Sequence, residues 1–429
     1  MCCSNLITRL NISGSFVVSS LKNFGTLPIF FSRVFNSFFD PFIATGFFAG
    51  AFLSSCFFTT ILTHSPSAWV RRHRSFYYNR SYADARSNRK IFIFILQYIL
   101  FVAKSIQISA VDYINFLVAA NCDISCVKAA ECFSDNGIVV AHDKFNRFLT
   151  RQSLTPDTLW KEVEPFIERR IGWLILDDTV IDKIYSERIE LTYYQWSGKH
   201  HKIVKGIGLI TLVWTDGTNT YPIDYRIYDK DGDEMSKNDH FREMINGANE
   251  RNFQPSFVMF DSWYSGIDNL KCIDKLGWSW FTRVKKNRMV NPDDTENRPV
   301  SSLEIPGDGS IVHMKKYGFI RLFHSVNKAG RDRYWATNFL TMDHEDRRNL
   351  QAICWSIENY HRALKELCCV EDCKIRKEAG QRNHINCSLR AYIRLEAANQ
   401  VNNITLYNAK WAIEKAAITT YLANPKYAL

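Results

Sequence analysis

Two short apolar runs in this chain end in an acid, Leu174-Ile175-Leu176-Asp177 and Val258-Met259-Phe260-Asp261. Such runs read as buried strands, and in open α/β sheets ligands bind beyond the carboxyl ends of strands. If the two strands are neighbours, both carboxylates point into one small volume. Like charges so placed repel, and a divalent cation is the usual remedy. A hard, all-oxygen set with no Cys or His beside it favours Mg²⁺ or Mn²⁺ over zinc. Strand-end acids also cap turns and helices, so the pattern by itself fits a structural role equally well. Asp178 is a second candidate for the first position. Adjacent strand residues face opposite sides, so only one of Asp177 and Asp178 is expected to join Asp261.

A third acid stands in a helical stretch, Trp355-Ser356-Ile357-Glu358-Asn359-Tyr360-His361-Arg362-Ala363-Leu364-Lys365. Glu358, His361, Arg362 and Lys365 fall at i, i+3, i+4 and i+7, which is one helix face. Trp355 and Ile357 bury other sides of the same helix, so this face is held against the domain. One acid followed by three potential cations suits a metal site beside a phosphate backbone. An ordinary solvated face with a Glu–Arg pair is the competing reading.

The elements that must position these residues alternate. Gly172–Leu176 reads as a strand, followed by strands Gly206–Thr215 and Thr218–Asp229 joined at the hairpin dipeptide Asp216-Gly217. Helix Lys237–Arg251, strand Ser256–Phe260, helix Ile267–Leu276 and strand Trp278–Val284 come next. After the cluster Lys285-Lys286-Asn287-Arg288, a polar, Pro/Gly-punctuated region runs to about Asp343. Its apolar segments Ile311–Met314, Phe319–Phe323 and Tyr334–Phe339 read as an inserted sheet, and a long helix begins at Asp346. Mixed α/β is the class this order gives. Lys199, Lys202 and Lys205, with His200 and His201 between them, could touch a DNA backbone or guard a sheet edge.

Upstream, Cys126–Phe133 and Asp143–Gln152 read as short helices separated by the turn signal Asp135-Asn136-Gly137. Lys144, Asn146, Arg147 and Arg151 lie on the polar side of the second, which suits a helix laid against DNA, or equally a small packing module. Thr155 as N-cap and Pro156 at the first helical position start a further helix to about Arg170.

The 429 residues are 46% hydrophobic and 23% charged, which allows several domains and excludes wholesale disorder or low complexity. The net charge of +10 invites a nucleic-acid reading. Position undercuts it, because eleven basic residues against Asp40 and Asp84 put nearly all of that excess within residues 1–110. That segment also holds 17 of the 30 Phe, and Pro41–Thr63 carries no charge. The stretch is long enough for a membrane anchor flanked by Arg71, Arg72 and Arg74, but its Ser and Thr pairs favour a translated AT-rich extension instead. The twelve Cys include no C-x-x-C pair, and scattered thiols of this kind fit a reducing cytosol. Cys122, Cys126 and Cys132 share one helical pattern, and Cys368, Cys369 and Cys373 another.

Asp-x-Thr after a strand (Asp177, Thr179), Asp261 after a second strand, and the pattern W-x-I-E-x-[FY]-H-[KR]-x-x-K around Glu358 together resemble DDE-type insertion-sequence transposases. The resemblance covers about residues 111–400. It implies an RNase H-like core: a mixed sheet flanked by helices, with a β-rich insertion and an N-terminal helical domain. The separations of the acids, 84 and then 97 residues, suit the subgroup whose insertion precedes the third acid. In that subgroup a Tyr and an Arg stand seven and four residues before the Glu. Gln351 and Cys354 occupy those places here, while Glu358 and Lys365 match. The departure bears on how a DNA end is handled rather than on metal chemistry.

The resemblance also favours Asp177 over Asp178. It implies metal-dependent cleavage at element ends and strand transfer, with Asp177, Asp261 and Glu358 as catalytic metal ligands for two Mg²⁺ or Mn²⁺ ions. Lys365, Arg362, His361, Lys144 and Arg147 are the expected DNA contacts. The implied partner is DNA, bound by a homodimer in the cytoplasm at the nucleoid, with no membrane role. A catalytically inactive, transposase-derived DNA-binding protein is the alternative. The expected divisions are 1–110 (extension), 111–170 (helical), 171–285 (core), 286–345 (insertion), 346–400 (core completion) and 401–429 (helical tail).

Overall fold

The computed structural model describes residues 107–135, 140–327 and 329–423. The uncharged run Pro41–Thr63 and the Asn136-Gly137 turn lie outside them. Among the described residues no helix is long and apolar enough to cross a membrane.

Strand β1 (Trp173–Asp182) is the hub of the sheet. It runs well past the Leu176 limit read from hydropathy, because β3 (Lys202–Thr215) pairs with it antiparallel along its full length, from Trp173 opposite Thr215 to Asp182 opposite Gly206. On its other edge β5 (Phe257–Phe260) pairs in parallel only as far as Leu176 opposite Phe260. Beyond β5 lies β6 (Trp280–Val284), again parallel. β3 turns into β4 (Thr220–Tyr228) through Asp216–Asn219, where the Asp216 carboxylate accepts from the Thr218 and Asn219 amides at 2.8 and 2.7 Å. β2 (Tyr193–Ser197) pairs with the start of β3. The core order β4-β3-β1-β5-β6, antiparallel on one side of β1 and parallel on the other, is the RNase H-like mixed sheet that the sequence leads one to expect.

The crossovers are amphipathic helices α5 (Lys237–Glu250) and α6 (Ile267–Lys275). α5 opens with a reciprocal capping box between Ser236 and Asp239, which satisfies amides that a helix start otherwise leaves open.

The insertion does not make a sheet of its own. β7 (Met289–Asn291), β8 (Arg298–Pro299), β9 (Ser310–Met314), β10 (Gly318–Val326) and β11 (Asp332–Thr337) continue the core sheet, because β11 pairs antiparallel with β6. An open β6 edge would leave ladder groups without partners, and β11 supplies them. The rings of Phe281 and Trp335 stack across this seam with centroids 5.0 Å apart.

The single helix expected from Asp346 is two helices. α7 (His344–Ile353) starts on an Asp343–Asp346 capping box, and α8 (Trp355–Leu367) follows after a break at Cys354. α9 (Glu378–Asn402) is long and buried, and α10 (Leu406–Ala423) closes the described chain.

The N-terminal helices are α1 (Ala110–Ala119), α2 (Cys126–Asp135), α3 (His142–Arg151) and α4 (Pro156–Val163). α4 stops short of the expected Arg170 because Pro165 has no N–H to continue it. Thr155 does not cap it with its side chain; the Thr158 hydroxyl instead donates to the Thr155 carbonyl at 2.7 Å. These helices are fastened to α9 by buried amides. Asn383 donates to the carbonyls of Leu149 and Gln152, both at 2.7 Å, and Asn386 to Thr155 at 3.0 Å. The described residues accordingly belong to one compact unit, Ile99–Leu429. Cys122, Cys368, Cys369 and Cys373, expected on helices, lie in the connecting segments.

Candidate active site

Asp177 is the first residue of β1 past its parallel pairing with β5, and Asp261 is the first residue past β5 itself. Asp177 sits opposite Thr211 in the antiparallel ladder, so the two side chains share a face of the sheet. That face is covered by α8. His361 Nε2 lies 3.1 Å from the Thr211 hydroxyl, Cys354 Sγ lies 3.4 Å from Met259 Sδ, and Lys365 Nζ donates to the Val180 carbonyl at 2.7 Å. The helix is thereby tied to β3, β5 and β1 in turn. Glu358 falls one turn after Cys354 and one turn before His361, over the sheet end that carries Asp177 and Asp261. It is exposed, and its carboxylate forms no hydrogen bond or ion pair among the described residues.

Asp178 points the other way, and both of its oxygens are taken. Lys237 Nζ reaches one at 2.6 Å and the Tyr264 hydroxyl donates to the other at 2.9 Å. The choice between the two neighbouring acids is therefore made by strand alternation: Asp177 faces α8 and Asp178 faces the α5 side.

Charge accumulates around Asp177. Burial first, then the negative charges of Asp178 and Asp261, hold its carboxyl well above the usual range. The Asp178 amide, donating at 2.9 Å, opposes that shift, and Glu358 adds to it. Asp261 is partly neutralised by Arg283, whose guanidinium lies 2.6 Å away on β6. The three carboxylates do not close on one another. Among the described residues, the group of three ligand-type side chains within 4.8 Å of one another is Cys122, Cys369 and Asp372. An all-oxygen set with a carboxyl raised by burial and neighbouring charge fits a hard divalent cation: such an ion would offset that repulsion.

The expected DNA contacts divide. Arg362 is exposed on α8. His361 is buried, and burial followed by the charge of Lys365 lowers it to about 3, so it is a neutral anchor and not a cation. Lys365 directs its ammonium to the Val180 carbonyl, at 2.7 Å, and to Glu371, 3.4 Å away. Arg147 on α3 pairs with Asp143, and Lys144 beside it is half-buried. In the basic run, Lys199 and His200 both engage Asp182, at 3.1 and 2.7 Å.

Sequence reasoning missed Arg283, Lys237 and Tyr264 as partners of the acids. Arg283 carries one readable signal, a charge inside an otherwise apolar strand. It also missed Trp263, which is exposed two residues after Asp261 with Lys285 Nζ 5.4 Å from its ring.

The family profile described as "Transposase DDE domain" matches residues 170–394. Among solved structures, the chain is similar to a piggyBac transposase synaptic complex with hairpin DNA determined by cryo-EM. The identity is 12%, over 73% of this chain and 72% of that one, with a TM-score of 0.43. No curated protein matches the sequence.

Proposed function

The chain belongs to the transposase DDE domain family, and from that membership we propose that it cuts DNA at the ends of a mobile element and joins the freed 3′-hydroxyl to target DNA. The observation that carries the reading is the register of β1 and β5, which brings Asp177 and Asp261 side by side beneath the helix bearing Glu358. In this reading Asp177, Asp261 and Glu358 hold two divalent ions, Mg²⁺ or Mn²⁺. Bound there, the ions supply charge stabilisation for the attacking and leaving oxygens of the phosphodiester.

The protein's own part is placement. β1 and β5 fix two of the ligands, the ties of α8 to Thr211, Met259 and Val180 fix the third, and Arg283 pairs with Asp261 where an ion would compete for it. Arg362 is the phosphate contact beside the site, and Lys144 and Arg147 extend the DNA surface along α3, with the enzyme acting as a homodimer on paired ends. His361 and Lys365 serve as ties for α8.

A nicking assay on supercoiled plasmid carrying the DNA that flanks the gene tests the reading. Cleavage requires Mg²⁺ or Mn²⁺, and Asp177→Asn, Asp261→Asn and Glu358→Gln each lower its rate by roughly two to three orders of magnitude while the fold persists. A variant that cleaves like the parent removes that residue from the site. The inactive DNA-binding alternative is favoured by Cys354, whose thiol packs on Met259 where the subgroup carries an Arg. Binding without metal-dependent cleavage by the unaltered chain would decide for it.

A further inference from the structure

Away from the acids, two cysteines far apart in sequence meet. Cys122 lies in the segment between α1 and α2 and is half-buried; Cys369 lies in the turn after α8 and is buried. Their sulfurs are 3.1 Å apart. A disulfide holds sulfurs at about 2.05 Å, so closure needs an approach of about 1 Å. We propose that Cys122 and Cys369 are a redox-active thiol pair, a modification site that a low-molecular-weight disulfide of the glutathione type converts to a Cys122–Cys369 bond.

The surroundings assign the two roles. Lys410 is buried, with its ammonium donating to the carbonyls of Leu117, Val118, Ala120 and Leu367. The Ala120 carbonyl that it binds is also 3.8 Å from Cys369 Sγ, so a fixed positive charge stands beside the pair. The hydrogen bond shared with Cys369, with Lys410 behind it, holds the Cys122 thiol below its ordinary range against burial and Asp372. The shared hydrogen bond and burial push Cys369 up. Burial pushes up Cys126, Cys272, Cys354, Cys368, Cys373 and Cys387 as well. Cys122 is thus both the more accessible and the more acidic partner, which suits an attacking thiolate.

The exchange balances in two steps. The Cys122 thiolate attacks one sulfur of the small disulfide, forming a mixed disulfide and releasing one small thiolate. Cys369 then loses its proton to solvent and attacks the Cys122 sulfur, expelling the second small thiol. The protein dithiol is oxidised by two electrons and the small disulfide reduced to two thiols. The bond would join the α1–α2 connection to the end of the helix that bears Glu358. The same two sulfurs with the Asp372 carboxylate form a partial ligand set for a metal ion, but the Lys410 ammonium opposes a second cation there.

The full chain equilibrated in oxidised and reduced glutathione buffers, then quenched and mapped without reduction, tests the pair. The expected result is a linked Cys122–Cys369 peptide that dithiothreitol reverses. Cys369→Ser should stall with glutathione on Cys122, and Cys126→Ser should behave as the parent. Glutathione remaining on Cys122 in the parent chain without transfer to Cys369 would overturn the proposal. So would stoichiometric zinc in the purified protein that Cys122→Ser releases. The map of the parent chain decides alone if a variant fails to fold.

Discussion

Leu176 and Phe260 form the last register pair of the parallel β1–β5 ladder, so Asp177 and Asp261 leave it side by side. Their settings differ. β1 continues past Asp177 because β3 still supports it, whereas β5 ends and Asp261 opens a 3₁₀ turn over Ser262–Tyr264. One carboxylate therefore rides on a stiff strand and the other on a strand-to-turn junction, paired with Arg283. Under the proposed function, a rigid acid paired with an adjustable one would suit a metal site that changes its coordination during a reaction.

Asp177→Asn and Asp178→Asn should move stability in opposite directions. The Asp177 carboxyl is raised in the fold, so its charge costs stability once the pH exceeds the unfolded value near 3.9. Asp177→Asn should raise the melting temperature at pH 7, with the gain vanishing below about pH 4. Asp178→Asn weakens bonds to Lys237 and Tyr264 and should cost about 1–3 kcal/mol. Thermal melts of the two variants at pH 7 and pH 4 check both signs.

Lys365→Ala should behave as a core change. Its ammonium satisfies the Val180 carbonyl and faces Glu371, and the loss should cost about 1–3 kcal/mol while leaving the salt dependence of DNA binding unchanged. Arg362→Ala on the exposed side of α8 should do the reverse: stability within about 0.5 kcal/mol, and a log affinity against log salt slope shallower by roughly one. Equal slopes for the two variants would remove Arg362 from the DNA surface.

Acid should weaken the fold early. His361 bonds to Thr211, and His384 is held between the Tyr113 hydroxyl and the Cys369 carbonyl, both at 3.0 Å. Burial, reinforced by Lys365 beside His361 and by Lys183 beside His384, lowers both to about 3. The unfolded chain binds these protons near pH 6.5 and the folded one does not. Stability present above pH 6.5 is therefore lost as pH falls toward 3, by about 2 kcal/mol per histidine at pH 5. Urea midpoints at pH 7 and pH 5 should show the loss, and His384→Gln should flatten it by about half.

Arg283→Met should tighten divalent binding at the acids. The guanidinium competes with an ion for Asp261 and adds a repulsive charge, so its removal should lower the Mn²⁺ dissociation constant several-fold. Titration followed by electron paramagnetic resonance measures this directly, and weaker binding would show that Arg283 orients Asp261 for the metal.

The apolar runs before Asp177 and Asp261 and the one-sided spacing around Glu358 are local patterns, so the sequence alone determined the fold class and marked the three acids as candidates. Burial of a strand or helix face leaves its mark on consecutive residues. Partners chosen across space leave none. Nothing near Asp178 announces Lys237 or Tyr264, and nothing near Lys365 announces the Val180 carbonyl; only the packing of α5 and α8 on opposite faces decided that these groups are satisfied. The insertion's strands were legible, but an open edge on β6 made them part of the core sheet. Cys122 and Cys369 stand 247 residues apart, and only the closure of α8 against the α1–α2 connection brought their sulfurs together.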